Sequence, residues 1–239
     1  MRAYEPDRRL LGLLLAALIA AACQLFASAQ APPAPPAPAP RFVVVLDAAH
    51  GGDDPGGRLN NQAEKDVTLA LSVRLRSLLS ARAIPVFTTR ESDATVNLNR
   101  RAEIANRANA QACLSLHASQ SGAGVHLMVS SLAPAQPARF VPWKTAQAAW
   151  VTRSLALAGV LNSALLHAGF NVTLGRMTLP AVDSMTCPAV AVEIAPETGQ
   201  ASASGSPTTG GLDDPAYQAR FAEALAAALL EWRSEVRQP

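Results

Sequence analysis

His50, Glu64, His117 and Glu193 are the residues whose types and placement point to chemistry. Two imidazoles and a carboxylate make one of the standard three-ligand sets for a catalytic zinc, which keeps a fourth position open for water. Such an ion lowers the pKa of its water to about 7 and yields a usable nucleophile. Glu193 ends a run of small apolar residues, where a carboxylate is costly unless it is paired, protonated or working. Beside that water it would act as general base and then pass the proton to a leaving nitrogen, which is amide hydrolysis. Taken singly, each residue also has an ordinary reading: a structural strand-end histidine, a first-turn acid, a buried ion-pair partner.

The elements that must bring these four together are legible as alternating strands and helices. Val43-Val44-Val45-Leu46 reads as a short buried strand over 42–47 that runs into His50 and a Gly-Gly pair. The glycines are expected to turn the chain sharply and to leave room beside the imidazole. A polar, turn-rich loop over 50–63 follows, then a helix over 64–82 with Val67, Leu71, Leu75, Leu78 and Leu79 on one side. Further strands are predicted over 85–89, 112–116 (with His117 at its carboxyl end), 124–131, 171–174 and Ala189–Ile194, the last carrying Glu193. Helices are predicted over 97–109, over 145–168 as one long rod, and over 215–236 capped by Asp213 or Asp214. Loops fill 132–142 and 197–211. This alternation predicts a single three-layer α/β/α domain with a largely parallel mixed sheet. If the strands before His50 and His117 are neighbours, His50, Glu64 and His117 reach one point.

The chain of 239 residues is 49% hydrophobic with a net charge of +2, which supports a real core and gives no electrostatic case for a nucleic-acid partner. Residues 1–29 read as an export signal: Arg2, Arg8 and Arg9, an apolar run over 10–22, and Ala27-Ser28-Ala29 before the cleavage point. An uncleaved anchor and lipidation at Cys23 are the alternatives, and either segment would be the sole membrane contact. Residues 30–40 are an Ala/Pro spacer, so the folded domain spans 41–239. The destination is the periplasm or cell wall. Cys113 and Cys187 are expected to be separate thiols, although an oxidising compartment permits a disulfide. Asp47 reads either as a brace for a ligand imidazole or as a plain strand-end acid. Asp53 and Asp54 read as turn residues with substitute metal ligation as the rarer use, Arg90 as the partner of a nearby carboxylate, and Trp143 and Trp150 as packing residues with sugar stacking as the rarer use.

One resemblance unites these readings. Val-Val-Leu-Asp-Ala-Ala-His-Gly-Gly at 44–52, Ala-Glu-Lys-Asp-Val-Thr-Leu-Ala-Leu at 63–71, Thr88-Thr89-Arg90-Glu91-Ser92-Asp93, Arg101-Ala102-Glu103-Ile104-Ala105-Asn106, Leu114-Ser115-Leu116-His117-Ala118 and Pro188-Ala189-Val190-Ala191-Val192-Glu193 stand in order over nearly all of 42–235. The series resembles the zinc-dependent N-acetylmuramoyl-L-alanine amidases of the amidase-3 family. The resemblance implies cleavage of the amide between N-acetylmuramic acid and L-alanine in peptidoglycan. It implies Zn2+ as cofactor, His50, Glu64 and His117 as its ligands, and Glu193 as the catalytic glutamate. Peptidoglycan is then the partner, with a protein activator left open. Ala48-Ala49, Ala118-Ser119 and Ile194-Ala195-Pro196-Glu197 depart from the family's usual residues. They keep in play a non-catalytic peptidoglycan-binding or regulatory module of the same fold, while the ligand set alone leaves open a zinc peptidase cutting within the stem peptide.

Overall fold

The structure, a computed structural model, describes residues 41–59, 61–136, 138, 140–197, 211–212 and 214–237. The expected leader (1–29), the spacer (30–40), Cys23, Asp213 and most of the 197–211 loop lie outside the described residues.

The β-branched run forms β1 (Val44–Ala48), every residue of it buried. A two-stranded hairpin, β2 (Arg58–Leu59) and β3 (Gln62–Ala63), interrupts the predicted loop. It leads directly into α1 (Glu64–Ser80), then β4 (Val86–Thr88), α2 (Leu98–Arg107), β5 (Ala112–Ala118) and β6 (Val125–Ser130). A 3-10 helix (Trp143–Ala149) precedes α3 (Val151–His167) and β7 (Val172–Met177). A 3-10 turn (Val182–Ser184), β8 (Ala189–Ile194) and α4 (Pro215–Arg237) complete the order.

One six-stranded sheet runs β4-β1-β5-β8-β6-β7. Within this sheet, among the described residues, only the β6–β8 pairing is antiparallel, so β6 and β7 run against its other four strands. The largely parallel mixed sheet of the α/β/α expectation is therefore present. Side chains alternate across the sheet, and the two faces differ. Val44, Leu46, Leu114, Leu116, Val190 and Val192 face α1, α3 and α4 in one large apolar cluster. Val45, Cys113 and Ala189 face the other way, into a smaller cluster with Ala102 and Ala105 of α2 and Val182 and Met185. Two residues further along β1 and β5, at Asp47 and Ser115, the same face turns polar, and on β8 it does so at Glu193.

Two expectations are corrected here. The rod over 145–168 is broken: the 3-10 helix and α3 meet at 66°. Thr145 has a non-helical φ of −128°, and the carbonyl of Ala148 accepts the N–H of Ala135 from the preceding loop. Apolar spacing continues through the break and so could not reveal it. The second correction is that Cys113 and Cys187 form a disulfide, with Cα atoms 6.3 Å apart. Cys113 pairs in register with Ala189, so Cys187, two residues upstream, falls within reach once β5 and β8 are neighbours. Strand order decides this, and strand order is not written in local sequence.

Candidate active site

β1 and β5 are parallel neighbours, with Asp47 opposite Ser115 and Ala48 opposite Leu116. His50 therefore leaves β1 at the same edge at which His117 ends β5. Between them the chain returns sharply. The Glu64 N–H donates to the Gly57 carbonyl at 2.8 Å and that of Lys65 to Pro55 at 3.2 Å, which seats Glu64 as the first residue of α1 under both histidines. Ala63, the residue before the helix, offers no side-chain cap. Backbone return and the first-turn acids Glu64 and Asp66 serve that end instead.

His50 stands in the left-handed region at φ 60°. That conformation is uncommon for a non-glycine residue and, where it occurs, concentrates at functional sites. The expectation that Gly51 and Gly52 leave room beside the imidazole needs amending. Both have positive φ and make the turn. The close approach to the ring, however, is at Gly56, where a Cβ would lie 2.6 Å from the imidazole and 2.8 Å from the Glu64 Cβ.

The three donors converge. His50 Nε2 is 3.1 Å from one Glu64 oxygen, and His117 Nδ1 is 3.0 Å from the other. One ligand atom from each of the three residues lies within 4.8 Å of the other two. Donors bonded at ~2.0–2.1 Å to one tetrahedral ion sit roughly 3.3 Å apart, so the residues present fit a small divalent cation. Glu64 also accepts N–H bonds from Gly57 (2.9 Å) and Ala118 (3.2 Å). Burial pushes its carboxyl pKa up, but the bonds from His117, Gly57 and Ala118 outweigh it and hold the group below the ordinary glutamate value. A carboxylate kept ionised is what a cation needs.

Glu193 sits beside this cluster. In the β5–β8 register it is directly opposite His117, and in the β6–β8 register directly opposite His126. The three side chains therefore share one face of the sheet, and Glu193 is half-buried there. His126 Nδ1 lies 2.5 Å from Thr173 Oγ1 on β7.

Several neighbours escaped the sequence reading. Asp54, taken as a turn residue, is the carboxylate against His50, with Oδ2 2.8 Å from Nδ1. That hydrogen bond holds Asp54 below the ordinary aspartate pKa, with slight opposition from burial. Asp47 touches neither histidine. It accepts from Thr89 Oγ1, Arg101 Nη1 and Ser115 Oγ, each at 2.7 Å, and Ser115 Oγ is 3.5 Å from His117 Nε2. Arg90 finds carbonyls rather than a carboxylate: Ala48, Ala49, Lys65 and Ser92 accept from it. Arg101 likewise donates to the carbonyls of Ala48 and His50, both at 2.6 Å. Two buried guanidinium groups thus hold the strand end that carries His50. The available signal for Arg101 was its spacing, four residues before Ala105 on the buried side of α2.

The cleft over the histidines has a volume of about 300 Å3 and is lined by His50, Asp54, His117, Thr95, Leu98 and Ala181, among others. That size is at the small end for ligand sites. An α/β sheet with three donors that could hold a metal ion, in a cleft at the carboxyl edge of its parallel strands, defines a class of site suited to a cation and a polar ligand. The sequence pattern of the N-acetylmuramoyl-L-alanine amidases matches residues 44–231, and the chain belongs to that family. N-acetylmuramoyl-L-alanine amidase AmiA of Escherichia coli K12 is 44% identical over 78 residues, 32% of this chain and 27% of AmiA. The matched segments span a third or less of the first curated relatives. Among solved structures, the catalytic domain of CwlV, an amidase from Bacillus (Paenibacillus) polymyxa, superposes with a TM-score of 0.61 at 22% identity, covering 81% of this chain and 98% of that one. The CwlD amidase of Clostridioides difficile, solved with the GerS lipoprotein, gives 0.61 at 20% identity over 82% and 100% of the two chains. At these identities the structural likeness concerns the fold.

Proposed function

We propose that this protein hydrolyses the amide between N-acetylmuramic acid and L-alanine in peptidoglycan, with zinc held by His50, Glu64 and His117. The observation that carries the reading is the convergence of three ligand atoms within 4.8 Å, with Glu193 in register beside His117. Family membership supplies the bond. When bound, the ion supplies Lewis acidity, polarising the scissile carbonyl and acidifying water. The chain's own residues do the rest. Asp54 holds His50 with Nδ1 as donor, which leaves Nε2 as the ligand atom. The N–H groups of Gly57 and Ala118 keep both Glu64 oxygens oriented. The Glu193 carboxylate takes the proton of the attacking water and delivers it to the alanine nitrogen as the amide breaks.

The place of action is outside the cytoplasm, reached through residues 1–29 and the 30–40 spacer, with 41–239 as the catalytic domain. The Cys113–Cys187 disulfide supports this, since such bonds persist in oxidising compartments. A protein partner is part of the proposal, by analogy with the CwlD amidase that was solved with a lipoprotein.

The test is digestion of purified peptidoglycan followed by mass spectrometry. Stem peptides with a free L-alanine amine are expected; fragments cut inside the stem would make the protein a peptidase, and intact wall would make it a binding module. A chelator should abolish release and zinc should restore it. Glu193→Gln should lower kcat by about 10²–10⁴-fold while zinc content by elemental analysis stays unchanged. Full activity of that variant at full zinc occupancy would remove Glu193 from the proton transfer.

A further inference from the structure

A second recess adjoins the cleft. It holds about 510 Å3 and is lined by Asn97, Asn99, Arg100, Glu103 and Trp143. Asn97 also lines the cleft over the histidines, so the two spaces adjoin at the start of α2. Leu98, the next residue, lines the cleft and is 53% exposed. Trp143, at the start of the 3-10 helix, is 44% exposed. An indole carries a large apolar face and is normally covered. One left bare in the lining of a recess offers that face to a ligand.

The polar groups around Trp143 narrow the choice of ligand. Arg100 Nη1 is paired with Glu103 Oε2 at 2.7 Å, and Arg107 also contacts Glu103. Within the recess lining Arg100 and Glu103 offset each other, and Arg107, outside it, adds a second cation on Glu103. Asn97 Oδ1 accepts the Arg100 N–H, which leaves its NH2 as the remaining donor. Asn99 adds a second amide. A wall of low net charge, rich in planar hydrogen-bonding groups and floored by an aromatic face, suits a neutral ligand with one apolar face and a hydroxylated edge. An acidic peptide would have to compete with Glu103 for Arg100.

We propose that this recess is a saccharide subsite that seats an N-acetylated sugar of the glycan strand against the Trp143 ring. Asn97, Asn99 and Arg100 face the sugar's hydroxyl and acetamido groups. The identity of the occupant rests on the amidase reading, because the scissile amide joins a peptide to a sugar. A strand whose muramoyl unit sits in the cleft must run out of it, and the recess borders the cleft at Asn97.

The probe is chitotetraose, a soluble N-acetylated oligosaccharide, titrated calorimetrically into the whole protein. Trp143→Ala is expected to raise Kd by at least about tenfold, the loss of roughly one good contact, and Trp143→Phe by no more than about threefold. Saccharide should also slow oxidation of Trp143 by N-bromosuccinimide in the unmodified protein, located by peptide mass spectrometry; this measurement needs no variant to fold. Equal affinity of wild type and Trp143→Ala, no binding at millimolar saccharide, or unchanged oxidation of Trp143 would each overturn the proposal. So would displacement of the saccharide by free stem peptide. Failure of the two readings is separable. Amide cleavage without saccharide binding sinks the subsite alone. Saccharide binding at Trp143 without cleavage sinks the amidase reading and leaves the subsite standing.

Discussion

His50 shows how much surrounding structure one proposed ligand requires. Its backbone is left-handed, its carbonyl is held by Arg101, its ring is approached by Gly56, and its Nδ1 is held by Asp54. The last contact is open to test without dismantling the fold, because the Asp54 side chain is 62% exposed. Asp54→Asn keeps the shape but loses the anionic acceptor, and zinc affinity measured against a competing chromophoric chelator is expected to fall by ~10–100-fold. Asp47 is a different case. Its side chain is 2% exposed and faces an Arg101 that is 5% exposed. Asp47→Ala leaves a buried guanidinium short of its counter-charge, and urea unfolding should report a loss of about 3–5 kcal/mol. The sequence flagged Asp47 as a brace or a strand-end acid. It is a strand-end acid that bonds no imidazole directly: it anchors Arg101, Thr89 and Ser115 beneath the site, and this could be seen only after α2 and β5 were laid against β1.

Among the elements, β5 and β8 carry most of the consequence. Their pairing sets His117 opposite Glu193 and brings Cys113 within reach of Cys187. The disulfide closes a loop with a sequence separation of 74 residues, directly behind the polar end of the same sheet face. Replacing both cysteines by Ala is expected to cost about 2–4 kcal/mol in denaturant unfolding, mostly through the unfolded chain. Reductant should reproduce the loss in the unmodified protein and have no effect on the variant. The broken helix before α3 has its own fastening. Gln147 is fully buried and donates to the carbonyls of Met185 and Cys187, while its own oxygen accepts from Ser154. Trp143 is the first residue of this 3-10 helix, on the far side of the break that periodicity concealed, and lines the recess beside the cleft.

At the scale of the whole molecule, the chain leaving β8 is clamped to α4. Tyr217 donates its hydroxyl to the Ala195 carbonyl at 2.7 Å, and Arg220 pairs with the buried Glu197 at 3.2 Å while lying over the Phe170 ring. Burial, with the Glu197 charge beside it, pushes the Tyr217 pKa well above its usual value of 10.0. The fold therefore favours the neutral phenol, and the unfolded chain ionises first. Stability from this group is fully present below about pH 10 and falls as pH rises beyond it. Tyr217→Phe should lose about 1 kcal/mol near neutrality and show a shallower alkaline decline than the unmodified protein, with urea midpoints at about pH 8 and 10.5 as the readout. An equal decline in both would remove Tyr217 as the cause.

The sequence alone determined the chemical alphabet and its carriers. Apolar runs and helical stripes marked the strands and most helices. Two histidines and a glutamate stood where elements begin or end, and one acid sat in an otherwise apolar strand. These are local properties, set by residue type and by periods of two or 3.6 residues. Tertiary structure alone decided what crosses between elements. It set the order β4-β1-β5-β8-β6-β7, the reversal at β6, the Cys113–Cys187 bond, and the use of Asp54, Arg90 and Arg101 around His50. Partner choice among buried polar groups depends on which strands become neighbours, and that is a property of the packed chain rather than of any window along it.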